Sequence, residues 1–262
     1  MPLQTSVLNK PAGVALAGMA YDLNYKDVGS AQNATRQLIQ VSIDNATNGD
    51  AYTVTINGVD FSITADGSAT ATEIRDALKA EIDAGSQPVV TASVSTNKLN
   101  IYSSVADLEF TYEVDADVPS DISVSLVHEN GQEIPFGVLV VRDDLLGDRY
   151  CRLPYQASDI TGNQSYGVSK REGTKMPNDG GFAKFSHVPY MDDGRIWVVC
   201  EEAVSNGDAV YVRVVADASA GEQLGSFRND ADGGDAVLLP GARFIEDTDG
   251  AGLAPLYIRL PA

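Results

Sequence analysis

The chain has 262 residues, 44% of them hydrophobic and 21% charged. That is enough apolar content for one large core or two modest ones, and it excludes disorder throughout. With 18 Lys/Arg against 37 Asp/Glu the formal charge is −19, a field that repels nucleic acid and anionic lipid head groups and suits a partner with a basic patch.

No apolar run approaches the roughly 20 residues of a membrane span, and Arg and Lys are scattered without aromatic interleaving, so neither membrane nor nucleic acid is expected as a partner. The prominence of Thr, Ser, Val, Gly, Asp and Asn leans toward β structure.

Residues 1–35 show neither helical nor strand periodicity, and Pro11, Gly13, Gly18 and Gly29 break any pattern. Residues 11–20, with Lys10 before them, faintly resemble a signal-peptide core, but their two glycines and weak apolarity argue against it. The expectation is an irregular arm that packs on the body or on a neighbour.

Residues 36–130 read as a self-contained unit inserted into another domain, as exposed loops with nearby termini allow. This unit holds 4 Lys/Arg and 15 Asp/Glu, a net of −11, which leaves −8 for the remainder. Leu38–Asp44 reads as a strand followed by an Asn/Gly/Asp loop. Tyr52–Ile56 and Val59–Thr64 alternate with period two around Asn57-Gly58, the dipeptide of a type I′ hairpin. Thr70 with Glu73 forms a capping box, Ile74, Ala77, Leu78 and Ile82 make a helical stripe, and Gly85 ends the helix. Val89–Val94, a Ser-Thr-Asn-Lys turn, Leu99–Tyr102, Leu108–Val114 and Ile122–Val127 complete an α+β unit of ββαβββ type, with the helix on one face of one sheet.

From 131 to 262 the reading is all β. Strands are expected at Ile134–Arg142, Arg195–Glu202, Ala209–Ala216, Ala242–Glu246 and Leu256–Leu260, with a long polar loop between 155 and 194. The fold class expected is therefore mainly β. Residues 1–35 with 131–262 form a discontinuous β-barrel or β-sandwich body, and 36–130 the inserted α+β domain.

No catalytic, cofactor-binding or metal-binding set emerges. His128 and His187 lack metal-ligand spacing, Ser186-His187 adjacency supplies no nucleophile system, and both histidines read as surface or loop residues. Asp230–Asp235 hints at a calcium loop but carries Gly233 and Gly241 where Asp or Asn and Glu belong. Asp247–Gly250 is shorter still, so solvated turns are expected. Asp192-Asp193 and Glu201-Glu202 are sequence neighbours that a strand would point to opposite faces, so they read as surface charge. Cys151 and Cys200 make no CxxC. Cys200 lies in an apolar run and reads as a buried thiol, with a disulfide to Cys151 left open. Trp197, between apolar strand residues, is expected in the core rather than in a sugar-stacking site.

The outer pieces carry Gly13–Met19 with Asp22, then Ile134-Pro135-Phe136-Gly137-Val138-Leu139-Val140-Val141, then Asn206–Arg213, and finally Gly241–Phe244 with Leu256–Ile258. In these the chain resembles the structural cement, or head decoration, proteins of tailed bacteriophages. In that family the Gly-rich arm leads almost directly into the Ile-Pro-Phe-Gly strand; here 36–130 separates them. The inserted unit, with its Tyr-Thr-Val-Thr-Ile-Asn-Gly hairpin, capped helix and Val-Thr-Ala-Ser-Val strand, resembles a small domain of phage tail and capsid proteins.

The resemblance implies a non-enzymatic virion protein that decorates and stabilises the capsid. It further implies the major capsid protein as partner, a homo-oligomer with a trimer favoured, and a place on the outer capsid surface after synthesis in the host cytoplasm. A tail or baseplate component and a glycan-binding β module are the alternatives.

Overall fold

A computed structural model describes residues 16–21, 27–33, 35–85, 90–95, 98–104, 108–143, 147–162, 165–171, 180–216 and 220–260. Arm residues 13–15, Asp22, Val89, Thr96, Asn97 and 172–179 of the expected loop lie outside these. The chain folds as two units, one of Thr35–Gln132 and one of Met1–Ala34 with Glu133–Ala262. Before the first of these runs strand β1 (Asp27–Asn33), whose partners come later in the chain.

The unit Thr35–Gln132 contains β2 (Leu38–Ile43), β3 (Ala51–Ile56), β4 (Val59–Thr64), α1 (Ala71–Ala84), β5 (Val90–Ser95), β6 (Lys98–Ser103), β7 (Tyr112–Ala116) and β8 (Ile122–His128). Where one sheet was expected there are two, ordered β5-β6-β2-β8 and β4-β3-β7. Asp121 explains the division. Its backbone oxygen accepts from Asp44 N at 2.9 Å, and its carboxylate accepts from Thr47 Oγ1 at 2.7 Å and Asn45 Nδ2 at 3.3 Å. The loop after β2 therefore bonds to the turn before β8, and the chain changes sheet there instead of pairing β2 with β3. Ile39, Val41, Val54, Ile56, Leu99 and Ile101 bury one face of each sheet against Ile74, Leu78 and Ile82 of α1.

Local signals of this unit hold in the structure. Asn57 and Gly58 have φ of 50° and 76°, as a type I′ turn requires. Thr70 and Glu73 form both halves of the capping box. Gly85 does end α1, but at φ −74° rather than in the left-handed region. A Cβ there would stand 2.3 Å from Phe61 Cε1, so close packing requires the glycine. The strand expected from Leu108 begins only at Tyr112. Ahead of it, Gln37 takes the place of a strand partner: Phe110 N donates to Gln37 Oε1 at 2.7 Å, and Gln37 Nε2 donates to Phe110 O at 2.9 Å.

The second unit continues with β9 (Ile134–Pro135), β10 (Leu139–Asp143), β11 (Gly147–Arg152), α2 (Ala157–Thr161), β12 (Ser165–Ser169), β13 (Gly181–Phe182) and β14 (His187–Cys200). It ends with β15 (Ala209–Arg213), β16 (Phe227–Arg228), β17 (Ala236–Phe244) and β18 (Gly252–Arg259). Pairing runs β1-β11-β10-β12-β14-β16-β15-β17-β18, with β14 also bonded to β1 and to β18. Those two extra pairings close two rings. One is β1, β11, β10, β12 and β14; the other is β14, β16, β15, β17 and β18. Of the two expected forms the body takes the barrel, doubled, with one 14-residue strand in both rings.

His187–Asp193 of β14 pairs with β1, and Asp193–Cys200 with β18. Buried positions fall at Val188, Pro189 and Met191, then at Gly194, Ile196, Val198 and Cys200. Met191 to Ile196 is an odd step that a strand of strict period two cannot make. The register with β1 skips Asp192 at this point, and Gly194, at φ 151°, follows where β14 passes from one ring to the other. Met191 and Ile196 nonetheless belong to one continuous core with Leu139, Val168, Phe227, Phe244 and Leu256.

Three expectations change. Residues 27–33 are a strand, not irregular arm, because β14 imposes the pairing on a segment without apolar alternation. The 155–194 stretch holds α2, β12, β13 and half of β14, its polar composition concealing strands that pair with buried neighbours. Ile134–Arg142 breaks in two at Gly137, which has φ 74°.

Gln37→Leu should leave the buried Phe110 N–H and C=O without partners and cost about 2–4 kcal/mol. Urea denaturation compared with the parent chain measures this; a change below about 0.5 kcal/mol would show that water replaces the amide.

Candidate functional site

The described arm residues are fastened to the body by backbone hydrogen bonds and by the Tyr21 side chain. Gly18 N donates to Trp197 O at 2.7 Å, Trp197 N to Met19 O at 2.8 Å, Tyr21 N to Arg195 O at 2.8 Å and Arg171 N to Gly18 O at 2.8 Å. Gly18 and Gly137, both at left-handed φ, sit back to back. A Cβ on Gly18 would lie 2.6 Å from Ser169 O, and one on Gly137 would lie 2.7 Å from Gly18 N. The Gly-rich arm and the Ile-Pro-Phe-Gly segment, far apart in sequence, thus form one contact that only glycines fit.

Trp197 corrects the core expectation. It lies on the outward face of β14, half-buried, with Tyr21 of the arm against it at 5.5 Å between ring centroids. The Tyr21 hydroxyl bonds to Glu246. The core side of this strand is taken by Ile196 and Val198.

One end of the second ring carries an ionic network. Arg213 ends β15 with its side chain only 1% exposed, and Arg228 ends β16. Arg213 Nη2 meets Glu201 Oε2 at 2.6 Å, Asp232 Oδ2 at 2.7 Å and Glu222 Oε1 at 3.1 Å. Arg228 meets Asp230 at 2.8 Å, Asp232 at 2.9 Å, Glu201 at 3.2 Å and Glu202 at 3.4 Å. The Ser226 hydroxyl also donates to Glu201. Burial works against the charge on Arg213, but its bonds to Glu201 and Asp232 hold the guanidinium above its ordinary pKa. Burial likewise opposes the charge on Glu201, yet Arg213 and Ser226 hold that carboxyl below the usual range.

Glu201 and Glu202 therefore converge on Arg228, contrary to the alternating geometry expected. Strand β14 stops at Cys200, and a bend frees both side chains to turn the same way. Asp230 and Asp232, considered as cation ligands, are occupied by guanidinium groups. Among the described residues no group of His, Cys, Asp and Glu is placed to hold a metal. The sequence signal missed here was Arg213, a charge inside an apolar strand, and Arg228 just ahead of Asp230 and Asp232.

The remaining candidates stay apart. His187 is exposed at the start of β14. His128, expected at the surface, is buried at the end of β8. Asp192 and Asp193 are consecutive on β14. Cys151 and Cys200 are both buried and free, and burial, with the Asp143 charge a lesser cause, pushes the Cys151 thiol up to about 12. A second buried pair anchors α2: Arg152 Nη1 and Nη2 grip the two carboxylate oxygens of Asp159 at 2.9 Å each. Burial opposes the Asp159 charge, but Arg152 keeps its carboxyl below the usual range.

The body is thus a doubled barrel with glycine-fitted joints, a structural scaffold. The family model described as structural cement protein (E217 gp24/Pam3 gp6) matches residues 104–259, and the chain belongs to that family. It is a structural protein of the bacteriophage virion with a role in the capsid. The match opens inside the inserted unit, takes in β7 and β8, and leaves the arm outside. No curated protein matches the chain. A chain of the solved structure "The capsid of Myoviridae Phage XM1" is similar over 48% of this chain and 76% of its own, at 18% identity and a TM-score of 0.39.

Removing one member of a buried ionic cluster leaves its partners uncompensated, so Arg213→Met should cost about 3–5 kcal/mol. The depressed Glu201 and Asp159 groups stabilise the fold above the unfolded carboxyl pKa of about 4, and lose that contribution as pH falls through their folded values. Urea midpoints measured from pH 7 to pH 2 should fall steeply below about pH 4, and less steeply in Glu201→Gln. Equal slopes for parent and variant would remove Glu201 from the account.

Gly137→Ala should cost about 1–3 kcal/mol through positive φ and the contact with Gly18, and should release the arm. Limited proteolysis would then cut near residue 18 faster than in the parent. Gly207, also at positive φ but with open space around its Cβ position, serves as the control.

Proposed function

We propose that this chain cements the phage head by binding the lattice of the major capsid protein on its outer surface, as a homo-oligomer. The observation that carries this reading is the family match across 104–259, which spans nearly all of the doubled barrel. The barrel suits a cementing load. Its rings leave few free edges, and its hydrogen bonds run around closed circuits. Many weak contacts repeated over a symmetric lattice give avidity that no single contact supplies.

In this reading the barrel body is the lattice-binding part and residues 36–130 are an ornament that folds by itself. The insert carries more than half of the net charge, −11 of −19. A strongly negative ornament keeps decorated particles apart and in solution.

Cryo-electron microscopy of the parent virion tests the placement. Density for this chain is expected on the outer face of the head, at contacts between capsomers; density confined to the tail would overturn the reading. A version in which a short linker replaces 36–130 is expected to fold and still decorate capsids, with a cooperative melt. An unfolded product would show that the barrel depends on the insert.

A further inference from the structure

The outward face of β14, β18 and β17 carries three arginines against one carboxylate, Asp193, although the chain has about two acids for every base. Antiparallel register places Arg195 opposite Tyr257, and Tyr257 opposite Arg243, so the three form one row across one face. Arg259 stands two residues along β18 on the same face, opposite Asp193 of β14, and Trp197 two residues from Arg195 along β14. Arg195, Arg243 and Arg259 are exposed, while Tyr257 and Trp197 are half-buried. Arg243 lies over the Tyr257 ring at 5.3 Å. Among the described residues neither Arg243 nor Arg259 forms an ion pair. Arginine, tyrosine and tryptophan together are the residues that anchor protein interfaces.

The inserted unit presents a face of opposite sign and similar build. On the outer side of β4-β3-β7, register sets Asp60, Thr55 and Glu113 in one row and Ser62, Thr53 and Asp115 in the next. Asp60, Glu113 and Asp115 are exposed. Thr55 Oγ1 donates to Asp60 at 2.7 Å and Thr53 Oγ1 pairs with Ser62 Oγ at 2.8 Å, which fixes the hydroxyls between the carboxylates.

We propose that these two faces dock between copies of this chain, the Arg195–Tyr257–Arg243 row and Arg259 of one copy against Asp60, Glu113 and Asp115 of the next. Like faces repel, so a two-fold contact of either face with itself is disfavoured. Two unlike faces meet either reciprocally about a two-fold axis or head to tail, and a closed ring follows in the second case where the rotation allows it. This inference rests on the homo-oligomeric part of the proposed function and gives it an interface. The second copy is the occupant because this chain itself carries the matching flat, carboxylate-bearing face.

The test is sedimentation equilibrium on the full chain and two charge-reversed variants, R243E/R259E and E113K/D115K, at about 50 mM and about 500 mM salt. The parent is expected to self-associate and to weaken with salt. Each variant alone should associate at least about tenfold more weakly, since reversal sets like charges face to face. An equimolar mixture of the two should recover the parent's association, because each altered face then meets its complement. Circular dichroism and thermal melting establish that both variants fold.

Undiminished association in either variant, or no recovery on mixing, would overturn the interface and leave the capsid reading intact. A parent chain that is monomeric throughout the micromolar range would overturn both the interface and the homo-oligomeric reading. A variant that self-associates normally but no longer decorates capsids would assign the arginine face to the lattice instead.

Discussion

Strand β14 belongs to two closed rings at once, and much of the body is arranged to permit it. Its first half must pair with β1 and β12, its second half with β18 and β16. A single extended strand would keep its apolar side chains on one face throughout. Here the buried set changes phase between Met191 and Gly194, where the register with β1 skips Asp192. The same constraint explains Gly167, at φ 153°, whose Cβ position lies 2.4 Å from Met191 O. Close crossing at the junction leaves no room for a side chain there. Because both rings share one backbone, their cores merge rather than remaining separate, and the arm segment 16–21 is laid along β14 where the rings meet.

Two buried arginines of the barrel are held by multiple partners. Arg213, deep at the end of the second ring, has Glu201, Glu222 and Asp232 around one nitrogen. Arg152 grips Asp159 with both nitrogens and lies over the Tyr155 ring at 4.4 Å. Such clusters contribute less to net stability than their contacts suggest, because desolvation offsets attraction. Their effect is to fix where strand ends and loops lie, since any other arrangement strands a charge. In a protein whose work is to hold shape within an assembly, fixed loop positions are of direct use.

Membership in the structural cement family and the doubled barrel fit one physical picture. In the proposed role the chain adds many individually modest contacts to a lattice, so its own body must not yield before those contacts do. Closed circuits of strands, few free edges and joints admitting only glycine all raise the cost of local opening. The division of charge adds a second theme. The insert carries the larger negative share, while Arg195, Arg243 and Arg259 share one outward face of the barrel. An assembly built from such a chain has both signs to work with despite its strong net charge.

The elements of residues 36–130 were largely legible in the sequence because their signals are local. Asn57-Gly58 specifies its turn through backbone sterics, and Thr70 with Glu73 specifies the start of α1 through hydrogen bonds three residues apart. Family motifs in the outer pieces likewise pointed to a cement protein without any geometry. The barrel was less legible because its strands are set by partners far away. Asp27–Asn33 has no apolar alternation and is a strand because β14 lies beside it. Trp197 sits in an apolar run yet faces outward under Tyr21, since register and not composition decides the face. Glu201 and Glu202 obey strand alternation only while the strand lasts, and it ends one residue earlier. Sequence alone thus determined the local turns, the cap and the family. Only the tertiary structure decided ring closure, facing and charge pairing, because each depends on which distant backbone supplies the hydrogen bonds.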